Sequence, residues 1–310
     1  MPLHRETPLL ESVPLSAVSG RRVFLKMDNM QPAGSFKLRG IGRLCEEAAR
    51  EGAVRFLSPS GGNAGYAAAW AGRELGLRVT VIVPVTTSEE AKRAIASLGA
   101  EVIVSGASWK ESNELALSMA AEDERAKYVH AFDDPVMWNG HATMIDEAAT
   151  QGPKPDLVVL SVGGGGLFCG VSAGMARNGW GGVPILACET EGASSFAASL
   201  AAGKLVEIDA ITSVATSLGA RMVAPRALEL SRERPVVSYV ASDASAVRAC
   251  SRFLDDHRVL VEPACGVSLS ALYENSPLLG DAKTVLVIVC GGIGVSAAKL
   301  RSMEERLCGE

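Results

Sequence analysis

Short runs of Val, Ile and Leu alternate with Ala-rich stretches over most of the chain. VFLKM (23–27), VRFLS (54–58), LRVTVIVP (77–84) and AEVIVSG (100–106) read as strands, with helices near 39–50, 63–75 and 88–98. The pattern breaks at YVHAFDDPVMW (128–138), and a helical stretch follows at about 139–150. LVVLSV (157–162) restarts it, and PILACE (184–189), PVVSYV (235–240), RVLVEP (258–263) and TVLVIVC (284–290) continue it. Unbroken apolar runs of this length suit strands buried on both faces, and helices between them imply parallel pairing. The expected fold is therefore α/β, with a smaller lobe over 40–135 and a larger one made of 1–39 and 136–310.

Composition narrows the function. The chain has 310 residues, of which 48% are hydrophobic, enough for a large core in two domains. The net charge is -5 and no Lys/Arg run carries interleaved aromatics, so no nucleic-acid partner is expected. LVVLSVGGGGLFCGVSAGMA is long enough to span a membrane, but its four consecutive glycines read better as a loop after a buried strand. No membrane partner and no signal peptide are expected. Seven scattered cysteines without a CxxC pair read as reduced thiols of a cytoplasmic protein.

Glycine, 32 residues in all, falls mostly at strand-to-helix junctions, and three such loops invite chemistry. SVGGGGLFCG (161–170) removes every Cβ from a turn that precedes a helix, which suits either tight packing or an anion cradle. In SPSGGNAGYAAAW (58–70), Asn63 either caps a helix or joins backbone N–H groups in holding a carboxylate or phenolate oxygen. In CGGIGVS (290–296), Cys290 ends a strand where α/β proteins bind ligands, although a small buried thiol needs no such role. QPAGSFKLRG (31–40) sets Phe36 beside Lys37 at a helix start. An amine, an aromatic plate, a phosphate cradle and a carboxylate loop are joined by one cofactor, pyridoxal 5'-phosphate, whose aldehyde takes a lysine amine.

PAGSFKLRG, SGGNAG, FDDP, SVGGGGLFCG, SLGAR, VEPACG and VCGG occur in an order that resembles the fold-type II pyridoxal-phosphate enzymes. Within them the chain is most similar to the serine/threonine dehydratases, in particular the short L-serine dehydratases of the animal-liver kind. The resemblance implies a tryptophan-synthase-β-like fold of two open twisted, mostly parallel-sheet domains, with the active site between them. It makes Lys37 the Schiff-base lysine and catalytic base, with Phe36 and Ser217 on the two ring faces. It places Gly163, Gly164, Gly165, Gly166 and Leu167 on the phosphate, Asn63 on the phenolic oxygen and Cys290 at the pyridine nitrogen. Ser60, Gly61, Gly62, Asn63 and Ala64 would hold the substrate carboxylate, and Glu189, Ala193, Leu218 and Ala220 a potassium ion. The implied activity is β-elimination of L-serine and L-threonine by a homodimer. Threonine-preferring dehydration, racemisation and a non-catalytic binding role are the alternatives.

Gly61 departs from the resemblance, since the liver-type enzymes carry Ala there and the racemases Ser. Gly offers no proton, which argues against racemisation. A methyl group added at 61 is expected to stiffen a loose loop and pack against the substrate's β-carbon. No regulatory domain of the kind attached to biosynthetic threonine dehydratases is expected after the last helix. Arg39, Asp133 and Asp134 read as a solvated helix residue and a turn.

Overall fold

The computed structural model describes residues 1–309. Its strands are β1 (Leu9–Glu11), β2 (Arg22–Lys26), β3 (Arg55–Ser58), β4 (Arg78–Val83), β5 (Glu101–Val104), β6 (Ala126–Tyr128), β7 (Leu157–Ser161), β8 (Ile185–Thr190), β9 (Val236–Ala241) and β10 (Thr284–Ile288). The helices are α1 (Val13–Ser19), α2 (Lys37–Arg50), α3 (Asn63–Leu75), α4 (Glu89–Ala96), α5 (Trp109–Glu122), α6 (Pro135–Gln151), α7 (Gly166–Arg177), α8 (Ser195–Ala202), α9 (Pro225–Glu233), α10 (Asp243–His257), α11 (Pro263–Tyr273) and α12 (Ala297–Cys308).

Packing divides the chain into two units. The smaller comprises Met1–Arg5 and Gln31–Gly140, the larger Glu6–Met30 and the chain from His141 onward. The expected division at 39/40 falls instead before Gln31, for a physical reason. Residue 39 lies inside α2, whose Leu38, Ile41, Leu44 and Cys45 are buried together in the smaller unit's core. Likewise Val136 and Met137 of α6 pack into that core, which moves the second division from 135 to 140.

The smaller unit holds a four-stranded sheet, β5-β4-β3-β6, parallel throughout. The Ala-rich face of α3 lets that helix lie close to β4, and a Cβ on Gly72 would stand 2.0 Å from Val79 Cγ2. The larger unit holds a six-stranded sheet, β1-β2-β10-β7-β8-β9, parallel except for the β1–β2 edge pair. All five residues of β7 are buried, as a central strand covered on both faces requires. Each Val or Leu so buried contributes about 1.5–3 kcal/mol. A buried ion pair, Lys26 to Glu147 at 2.6 Å, holds β2 to α6, and Lys26 also donates to the Thr7 carbonyl and Gln151.

One expected strand is absent. RVLVEP (258–263) is squeezed between two helices, because Arg258 ends α10 in the left-handed region (φ 61°) and Pro263 opens α11. The short connector between the two helices joins neither sheet. The apolar run considered as a membrane span is β7, a loop and α7, and no helix among the described residues is long and apolar enough to cross a membrane.

Candidate active site

In both units the candidate residues gather where parallel strands end, because side chains and loops at the carboxyl edge of such a sheet are free of the ladder. In the smaller unit, Gly34 takes a left-handed turn (φ 70°), and its N–H donates to the Gln31 carbonyl at 2.7 Å. That turn delivers Phe36 and Lys37 to the start of α2. Lys37 Nζ donates to the Ala131 carbonyl at 2.6 Å, just past β6, and lies 5.2 Å from the Phe36 ring centroid. Both residues are half-buried, while Ser35 is 1% exposed.

Ser60, Gly61 and Gly62 leave the end of β3, and Asn63 and Ala64 open α3. A Cβ on Gly65 would come within 1.8 Å of the Ser60 carbonyl, so only glycine allows this loop to close on its helix. Gly62 caps α3 with no side chain, and its N–H lies 3.4 Å from Ser60 Oγ. A helix start without a side-chain cap suits a carboxylate. Gly61 does not face open space: a Cβ there would meet Thr87 Cγ2 at 2.6 Å, Thr87 Oγ1 at 2.9 Å and Val83 Cγ1 at 3.3 Å. The added methyl expected to touch substrate would displace Thr87 instead, because Thr87 already fills that volume.

In the larger unit, Gly163 and Gly164 follow β7, Gly165 caps α7 in the left-handed region (φ 90°), and Gly166 and Leu167 open the helix. A Cβ on Gly165 would stand 2.8 Å from both Ala227 and Val223, and one on Gly163 would stand 3.2 Å from the Ser217 carbonyl. The loop and the exposed Ser217 are therefore neighbours. A cavity of about 210 Å³ beside Ser217 is bounded by Glu262, Ala264, Gly294 and Lys299, among others. Cys290 Sγ lies 3.6 Å from Ser161 Oγ, at the end of β7. The Cys265 thiol and burial both push the Cys290 thiol well above its ordinary range, so it is neutral. The glycines after Cys290 wrap Glu262, which accepts the Gly294 N–H at 3.1 Å.

Glu189, one residue before the end of β8, is fully buried and accepts the N–H groups of Phe196 (2.9 Å) and Ala197 (2.7 Å) at the start of α8. Burial pushes its carboxyl up to about 7, against the two N–H groups that lower it. Ala193 lies on the turn between β8 and α8, where its N–H donates to Thr190. Leu218 and Ala220 share a tight turn, the Ala220 N–H donating to the Leu218 carbonyl at 2.7 Å.

Several residues differ from their sequence reading or were missed by it. Arg39 is wholly buried rather than solvated. Asp134 accepts the Val136 N–H at the start of α6, consistent with a turn. His130 and Thr87 were overlooked, since neither belongs to a glycine loop and their importance lies in what they touch. Two buried hydroxyls, Ser35 and Ser58, have no hydrogen-bond partner among the described residues, and each sits just ahead of a candidate segment.

Comparison with known proteins complements this geometry. A family model described as "Pyridoxal-phosphate dependent enzyme" matches residues 1–291. The human L-serine dehydratase/L-threonine deaminase is 47% identical over 315 residues, spanning 99% of this chain and 96% of its own. The crystal structure of a fungal L-serine ammonia-lyase from Rhizomucor miehei matches with a TM-score of 0.92 at 36% identity, covering 99% of this chain and 100% of that one. Maize serine racemase matches with a TM-score of 0.87 at 26% identity, covering 99% and 94%.

Proposed function

The chain belongs to the pyridoxal-phosphate-dependent enzyme family, and from that premise we propose that it converts L-serine to pyruvate and ammonia, and L-threonine to 2-oxobutanoate and ammonia. Pyridoxal phosphate supplies an aldehyde carbon for an amine and a ring that accepts the electron pair left at the substrate's α-carbon. The residues present fit that group: a glycine cradle with no room for Cβ atoms, a helix start without a side-chain cap, and an amine beside an aromatic face.

In this reading Gly163 to Leu167 and the N-terminus of α7 bind the phosphate, where backbone N–H groups and the helix dipole favour an anion. Phe36 and Ser217 would cover the two ring faces, and Asn63 would donate to the phenolic oxygen. Cys290, a neutral thiol, would meet the ring nitrogen and could not fix a proton there as a carboxylate would. Ser60 to Ala64 hold the substrate carboxylate. Lys37 is the base. Its amine donates one N–H to the Ala131 carbonyl, which aims the remaining lone pair, and takes the proton from the substrate's α-carbon.

Glu189, with Ala193, Leu218 and Ala220, takes potassium. Supporting this, the Glu189 carboxyl is buried and forms no ion pair among the described residues. The same reading makes the enzyme a cytoplasmic homodimer, and its free cysteines suit a reducing compartment.

The observation that carries the proposal is the Lys37 amine held at the start of α2 beside Phe36. The test is keto-acid formation by purified, cofactor-loaded protein from L-serine, L-threonine and both D-isomers, with chiral analysis. Pyruvate from L-serine without D-serine is expected. A cofactor absorbance band unchanged by L-serine would make the protein a binder, and abundant D-serine would make it a racemase.

A further inference from the structure

His130 lies one residue before the carbonyl that holds Lys37, and its ring is tied into the same turn. Its Nδ1 accepts the backbone N–H groups of Asp133 (2.8 Å) and Phe132 (3.2 Å). Two fixed N–H donors facing one ring nitrogen require that nitrogen to be unprotonated, so the proton of the neutral ring is on Nε2. Nδ1 stands two bonds from Cβ, as the side-chain oxygen of Asn does, and it closes the turn as an Asn would. Two carbonyls of the segment also accept hydrogen bonds: that of Ala131 from Lys37 Nζ (2.6 Å) and that of Phe132 from Trp138 Nε1 (2.8 Å).

We propose that His130 is a positioning residue: through its Nδ1 lone pair it folds residues 130–133 so that the Ala131 carbonyl orients the Lys37 amine. This rests on Lys37 being the base, as proposed above. It adds a residue that touches neither substrate nor cofactor in that scheme. Around the ring, the edge of Trp109 from α5 (6.2 Å between centroids), Tyr128 of β6 (6.0 Å) and Phe132 (4.7 Å) are uncharged. The charged groups are Asp133 and Asp134 from its own segment, which favour protonation, and Lys37 from α2, which opposes it. Burial outweighs these and holds the ring neutral to lower pH than an ordinary histidine. Because the neutral form is the one the fold uses, the turn is intact above the ordinary histidine range and opens as pH falls through the depressed value.

The experiment compares the cofactor-loaded parent with His130→Ala and His130→Asn. The readouts are kcat and KM for L-serine across the acid limb, and ¹⁵N NMR of the parent's imidazole. His130→Ala is expected to lower kcat about tenfold with KM within about twofold. His130→Asn, which restores an acceptor at the same distance from Cβ, should bring kcat back to within about threefold and lose the part of the acid limb that follows the imidazole. The parent's Nδ1 should resonate as unprotonated at neutral pH. Unchanged kcat in His130→Ala, equal loss in both variants, or a protonated Nδ1 at neutral pH would overturn the proposal. Should His130→Ala fail to fold, the Asn variant and the imidazole spectrum decide. A parent that makes no keto acid refutes the proposed function instead, and the imidazole spectrum still judges the turn.

Discussion

Gly61 and Thr87 form a complementary pair, the Thr87 methyl and hydroxyl occupying the volume that a residue-61 side chain would take. Gly61 is not in the left-handed region, so alanine suits its backbone and only the space is in question. Gly61→Ala is expected to raise KM for L-serine several-fold, because overpacking costs about 1–3 kcal/mol and is relieved by shifting the carboxylate loop. Thr87→Ala alone should change KM within about twofold. The double variant should recover most of the loss, a coupling of about 0.5–3 kcal/mol. Strictly additive effects in steady-state kinetics would mean that Thr87 does not fill this space. Sequence reading identified Gly61 as unusual, yet placed its missing side chain toward substrate. The error is physical: a loop residue's Cβ direction depends on its dihedrals, and Thr87 is 26 positions away in the chain. His130 was hidden for a similar reason, since its ring acts on backbone groups that sequence does not reveal.

At the scale of elements, strands and glycine junctions were the legible part. Buried runs such as LVVLS, and the glycines that open α3 and α7, announce themselves by composition alone. RVLVEP misled because Val261 is buried, and Val259 and Leu260 half-buried, in a connector between helices, which composition cannot distinguish from a strand. The start of α8 carries a different lesson. Its N–H groups are capped from another element, by the buried Glu189, whose carboxyl is pushed up to about 7. A carboxyl raised in the folded state stabilises the fold while protonated. That contribution is complete below the ordinary carboxylate range and is lost as pH rises through about 7. A monovalent cation beside Glu189 would offset the loss, so potassium, compared with tetramethylammonium, should raise Tm more at about pH 8 than at about pH 6. Glu189→Gln should abolish the difference. An equal gain at both pH values, or one that survives in Glu189→Gln, would remove Glu189 from the cation site.

For the whole molecule, one parallel and one mostly parallel sheet agree with the α/β rhythm read from sequence. The division of the chain was harder to see, because α2 and α6 run through the places where the pattern of strands suggested a boundary. The consequence is chemical: Lys37 belongs to the smaller unit, whereas the glycine cradle and Cys290 belong to the larger. In the proposed function the aldehyde of pyridoxal phosphate bonds to Lys37. Borohydride reduction of the pyridoxal-phosphate-loaded protein, followed by peptide mass mapping, tests this most directly. The account predicts a single modified peptide with the label on Lys37, and no label in Lys37→Ala; a label carried by any other lysine of the parent would contradict it.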